Sequence, residues 1–123
     1  MKYVLGVAIA AVALILILGT GSNYAGGQKE PKHTIKEVMR EAHKSGLYKK
    51  VATGKAGDDE KKELVELYTS LSLNKPPMGD ESEWKEQTGK MLSAAKKAAK
   101  GDEKAAASLL KIVNCGVCHK KFK

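Results

Sequence analysis

Two cysteines, three prolines, one tryptophan and one phenylalanine are spread over 123 residues. So few cysteines exclude a disulfide-stapled miniprotein, and so little proline excludes a collagen-like repeat. Aromatic residues make up only 5% of the chain, while Ala, Leu, Lys and Glu dominate it. That composition favours helices over a β-sandwich, so the expected fold class is all-α. A hydrophobic share of 42% is too high for a wholly disordered acidic chain. The length allows one small domain at most. With so few large side chains its core would be thin, and a cofactor, a metal or a second subunit would help hold it together.

Met1-Lys2 gives a short positive start, and residues 3–18 (YVLGVAIAAVALILIL) carry no charge before mostly small residues close the run at Ala25. Residues 1–25 therefore read as a signal peptide or an uncleaved N-terminal anchor, followed by a polar linker over 26–33 that contains Pro31. Either form takes the body of the protein out of the cytoplasm and into the periplasm. The chain carries 22 Lys+Arg against 14 Asp+Glu. A basic surface outside the cytoplasm points to acidic protein partners or anionic headgroups rather than nucleic acid, unless the lysines merely solvate helix faces.

Four helical segments are expected after the linker. Thr34-Ile35-Lys36-Glu37 matches a capping box, and Ile35, Val38, Met39, Ala42, Leu47 and Val51 follow at helical spacing. Gly46 interrupts that pattern, and Gly54 and Gly57 end it. Asp58 and Asp59 supply capping carboxylates for a second helix whose face is Leu64, Leu67, Tyr68 and Leu71. Pro76 and Pro77 break the chain again. Asp80 and Glu83 open a third helix with the stripe Trp84, Met91, Leu92, Ala95, Ala98 and Ala99, closed by Gly101. Asp102 opens the fourth, whose stripe Ala106, Leu109, Leu110, Val113 and Val117 is predicted to run unbroken into the cysteines. Short connections between four helices over residues 34–123 imply an antiparallel four-helix bundle. The Ala-rich third and fourth helices would either pack closely or leave room for something flat between them.

Cys115-Gly116-Val117-Cys118-His119 has the C-x-x-C-H spacing of covalent haem attachment. On a helix these three side chains share a face, so two thiols can add to the two vinyl groups of one haem while His119 reaches the iron. Heme c, one per chain, is the expected cofactor, with Cys115 and Cys118 binding it and His119 as metal ligand. Three other uses of the same residues compete. A Cys115–Cys118 disulfide would close too small a loop to stabilise much and would strain a helix. A redox dithiol would accompany a βαβ pattern, which the sequence lacks. A zinc site would need a fourth ligand from distant His33 or His43.

Trp84, the run Ala94-Ala95-Lys96-Lys97-Ala98-Ala99-Lys100-Gly101-Asp102, and the ending Cys115-Gly116-Val117-Cys118-His119-Lys120-Lys121-Phe122-Lys123 together resemble the class II c-type cytochromes, the cytochrome c-prime family. The resemblance spans residues 34–123 and is strongest from 80 onward. It implies a left-handed four-helix bundle with the haem near the carboxyl terminus, enclosed by the first, third and fourth helices. Lys120 stands where members often carry an acidic residue, and Lys123 where they often carry Arg. The first helix also lacks the Arg-Gln pair common in the family.

In that family the first helix supplies either a Met that ligates iron, giving an electron carrier, or an apolar residue, giving an open site for nitric oxide or carbon monoxide. Met39 is the candidate sixth ligand; a thioether opposite imidazole raises the reduction potential. As an alternative role Met39 is a core gap-filler. His43, one turn on, could give a bis-histidine site, but flanked by Glu41 and Lys44 it is expected at the bundle edge in water. His33 is expected to be exposed, and Met78 and Met91 are formal candidates only. The expected function is thus an exported monohaem electron carrier, not an enzyme. Lys111, Lys120, Lys121 and Lys123 would steer an acidic redox partner. The alternative is a five-coordinate gas-binding haem protein, and family bundles often pair as homodimers.

Overall fold

The structure is a computed structural model and describes residues 30–123. The leader or anchor expected over 1–25, and most of the linker expected over 26–33, lie outside the described residues. Among the described residues every regular element is helical: α1 (Ile35–Val38), a π-helical turn (Met39–Lys44), α2 (Leu47–Ala52), α3 (Asp58–Leu73), α4 (Glu81–Ala99), α5 (Glu103–Ile112) and α6 (Cys115–Phe122). The all-α expectation holds. None of these helices is long and apolar enough to cross a membrane.

Local chemistry explains most of the starts. Thr34 Oγ1 accepts from the Glu37 amide at 3.1 Å, and the Glu37 carboxylate accepts from the Thr34 amide at 2.7 Å, so the capping box forms as its residue types dictate. The amide bond to Glu37, more than any other contact, holds its carboxyl below the usual range. Asp80 and Asp102 cap α4 and α5 through their carboxylates. Asp58 and Asp59 do not cap α3. They sit inside its first turn, where their charge favours the positive end of the helix dipole, and Glu60 reaches back to the Gly57 amide instead.

Two helices expected to be continuous are broken. The first changes to π geometry at Met39, with the Ser45 amide bonded to the Arg40 carbonyl, and then turns at Gly46 into α2. The fourth stops at Ile112. Val113 leaves helical geometry, Asn114 takes extended backbone, and the Asn114 carboxamide accepts from the Val117 amide at 3.2 Å to start α6 afresh. The break turns the remaining residues off the stripe, and Val117 is 52% exposed where it was expected to be buried. Leu110, at 50%, also faces solvent.

α3 packs along α4, α4 and α2 both pack on α5, and α1 lies against α3. Val38, Leu64, Leu67, Tyr68, Leu71 and Leu109 are fully buried between them. Each such aliphatic side chain stabilises the fold by roughly 1.5–3 kcal/mol. Trp84 is buried on α4, donates its indole N–H to the Asn74 carbonyl at 2.9 Å, and meets the Phe122 ring edge-on at 5.2 Å. It thereby joins the proline loop to α6.

Gly79, at the end of that loop, has φ +89°, and a Cβ there would lie 2.6 Å from the Lys121 carbonyl oxygen and 2.9 Å from Phe122. Gly54 has φ +75° but nothing within 4 Å. Gly54→Ala should therefore cost about 1 kcal/mol of backbone strain. Gly79→Ala adds overpacking against α6 and should cost about 2–4 kcal/mol. Urea unfolding of the two variants side by side checks this; equal losses would mean that Gly79 does not clamp α6.

Candidate functional site

The break at Asn114 sets the site. By starting a new helix one residue before Cys115, it places Cys115, Cys118 and His119 on a single turn with no fixed continuation from α5. Cys115 and His119 are exposed and Cys118 is half-buried; both thiols are free. The Gln87 carboxamide donates to the Ile112 carbonyl at 3.0 Å, which ties the end of α5 to α4 just ahead of the break. Phe122 is buried against Trp84 and secures the far end of α6.

Two hollows meet at this turn. A narrow cleft of about 20 Å³ is lined by Cys115, Cys118 and His119 on one side and by Met39, His43 and Met91 on the other. A cavity of about 490 Å³ opens beyond it, with Ile35, Met39, Pro77, Trp84 and Phe122 among its walls. That volume lies within the usual range for a small-molecule site, and its lining is mostly apolar. Met39, Cys118 and His119 border both hollows. The four residues singled out from the sequence, Cys115, Cys118, His119 and Met39, are therefore brought together.

His43 is not at a water-exposed edge. Its ring is largely buried between Tyr48 at 5.2 Å and Tyr68 at 5.7 Å centroid to centroid. Nδ1 lies 3.3 Å from the Met39 sulfur and Nε2 lies 3.0 Å from the Tyr68 hydroxyl. Burial first, and then the charge of nearby His119, pushes its pKa down to about 4, so the ring is neutral near pH 7. Burial likewise holds the Tyr68 hydroxyl in its protonated form, raised well above the ordinary phenol range. His33 is half-buried rather than exposed. Its amide donates to Ser70 and its ring lies 3.5 Å from Glu66, and it borders neither hollow. Met78, 53% exposed, also borders neither, whereas Met91 is buried at the cleft.

No known protein family, curated protein or solved structure matches the chain. What the site can do rests on its own chemistry. Burial, followed by the neighbouring Cys115, raises the Cys118 thiol pKa, so this thiol is held in its protonated form. Among the described residues no three His, Cys, Asp or Glu side chains converge as a metal-binding group, so not even three of the four ligands of a zinc site are assembled. The Cys118 thiol and the His119 imidazole border the larger apolar hollow together with the Met39 thioether, a lining that suits a flat apolar ring, while Cys115 borders only the narrow cleft beside it. Tyr68, Gln87 and Asn114 complete this region and were not singled out beforehand as parts of the site. Asn114 alone left a local signal, a capping residue type three positions before Val117.

Proposed function

We propose that the chain is an exported monohaem c-type cytochrome that carries single electrons. The observation supporting this best is that Cys115, Cys118 and His119 share one turn and line a cleft with Met39, while Cys118, His119 and Met39 also border the apolar cavity. In this reading the fold is an antiparallel four-helix bundle of the cytochrome c-prime type. α1, the π-helical turn and α2 form its first helix, α3 its second, α4 its third, and α5 with α6 its fourth. Cys115 and Cys118 would hold heme c through thioether bonds, and His119 and Met39 would be the residues that ligate its metal. The haem supplies an iron that alternates between two oxidation states one electron at a time.

The chain's own residues do the rest. Ile35, Trp84 and Phe122 exclude water from the cavity side, which disfavours the more highly charged state of the metal. Exposed Lys111, Lys120, Lys121 and Lys123 present positive charge around the site, although Lys121 shares its charge with Glu83 at 3.9 Å. They favour a brief encounter with an acidic redox protein. Residues 1–25 act as the leader or inner-membrane anchor that delivers the domain to the periplasm, where it acts alone or as a homodimer.

The test is the visible spectrum of the exported, purified protein, with a pyridine haemochrome assay after acid–acetone extraction. Colour that survives extraction, with a low-spin reduced spectrum little altered by carbon monoxide, is the expected result. A colourless protein refutes the proposal. A red protein that takes up carbon monoxide readily is instead the five-coordinate gas-binding form.

A further inference from the structure

Resting on the haem reading above, we propose that Tyr68 and His43 are positioning residues that hold the Met39 thioether in one orientation for ligation of the metal. A thioether sulfur carries no proton and can only accept, whereas a neutral imidazole has one N–H to give. The 3.3 Å approach of His43 Nδ1 to the Met39 sulfur is therefore a hydrogen bond only if the proton sits on Nδ1. Nε2 is then a bare acceptor, and the Tyr68 hydroxyl, 3.0 Å away on α3, is the donor that fills it. In this arrangement Tyr68, whose hydroxyl can either give or take, donates to Nε2 and supports the tautomer that lets His43 orient Met39.

The need for such a device follows from the side chain it acts on. Methionine has three rotatable bonds and settles readily into several packings, so a sulfur meant for one ligand direction loses freedom when it binds. A donated N–H occupies one sulfur lone pair and leaves the other for a metal. Tyr48 and Tyr68 flank the His43 ring, and Tyr68 is fully buried, so the imidazole is held in place while it does this. With both of its nitrogens engaged, His43 has none free to serve as the sixth ligand itself. Partners of this kind around metal ligands alter metal affinity by about 10–100-fold when removed.

The experiment uses the reduced, haem-loaded protein labelled with ¹⁵N at histidine. Nuclear magnetic resonance should find the His43 proton on Nδ1. Tyr68→Phe should move part of that population to Nε2 and raise carbon monoxide affinity by about 10-fold or more. His43→Leu should raise the affinity similarly, while His43→Gln, which can still offer an amide N–H to the sulfur, should restore most of the native resistance to the gas. This second pair serves equally if Tyr68→Phe fails to fold. A red protein with the proton on Nε2, a gas affinity indifferent to the Leu and Gln replacements, or a bis-histidine spectrum lost with His43 and kept without Met39 would overturn the inference and leave haem attachment standing. A colourless protein would remove both.

Discussion

A Cys115→Ala/Cys118→Ala chain, exported beside the native one, should emerge with no colour that survives acid–acetone extraction. The two thiols are the only groups in the chain able to form thioether bonds. Each single variant should retain one bond, with a reduced spectrum displaced from that of the native protein because one vinyl group stays unreacted. The double variant also separates the rival uses of these cysteines. A structural disulfide closing so short a loop would show its loss in stability, with the spectrum unaffected. A redox dithiol would instead lose thiol–disulfide exchange, again with the spectrum unaffected. Thermal unfolding of the double variant should begin earlier than that of the native protein, since a group bound only by the folded state stabilises it by mass action or, when tethered, outright.

Met39→Leu should have the second-largest effect, and most of it should fall on the metal rather than on the fold. Leucine keeps the volume and apolar character of a half-buried side chain that lines both hollows, so the cost to folding should stay below about 1.5 kcal/mol. The sulfur, however, is lost. A protein ligand that must be displaced before a gas can bind lowers gas affinity about tenfold for every 1.4 kcal/mol of ligation. Carbon monoxide affinity should therefore rise by about 10-fold or more, the low-spin spectrum should give way to a high-spin one, and the reduction potential should fall. Spectral titration with the gas checks this. Identical affinities in the native protein and the Met39→Leu variant would return Met39 to the role of a core gap-filler.

The helix starts were legible because capping is a short-range affair. Thr34 and Glu37, Asp80, and Asp102 each satisfy amides within three residues of themselves, so residue type and spacing suffice to find them. The face Leu64, Leu67, Tyr68 and Leu71 was equally plain, and all four are buried. The break at Val113–Asn114 was not, because Val113 and Val117 keep helical spacing across it and a periodic pattern hides the one residue whose side chain ends it. The π-helical turn escaped for the same reason. Met39 and His43 stand four apart and share a face in either kind of helix, so the sequence pattern does not distinguish an extra residue per turn. The C-x-x-C-H segment was legible as chemistry at fixed spacing. The Tyr68–His43 pair was not, since it joins residues 25 apart that only the packing of α3 against the first segment brings together.

The eight-residue α6 is too short to persist unaided, because isolated helices below about 12–15 residues are marginal in water. Its firmest hold is Phe122 at the far end, while the Val113–Asn114 corner acts as a hinge at the near end. This tailpiece can peel away while α2, α3, α4 and α5 keep their mutual packing. Under the proposed function, that implies an order of maturation. The thiols would be presented on an otherwise finished scaffold, and two thioether bonds would then fasten α6 at its near end as Phe122 fastens it at its far end.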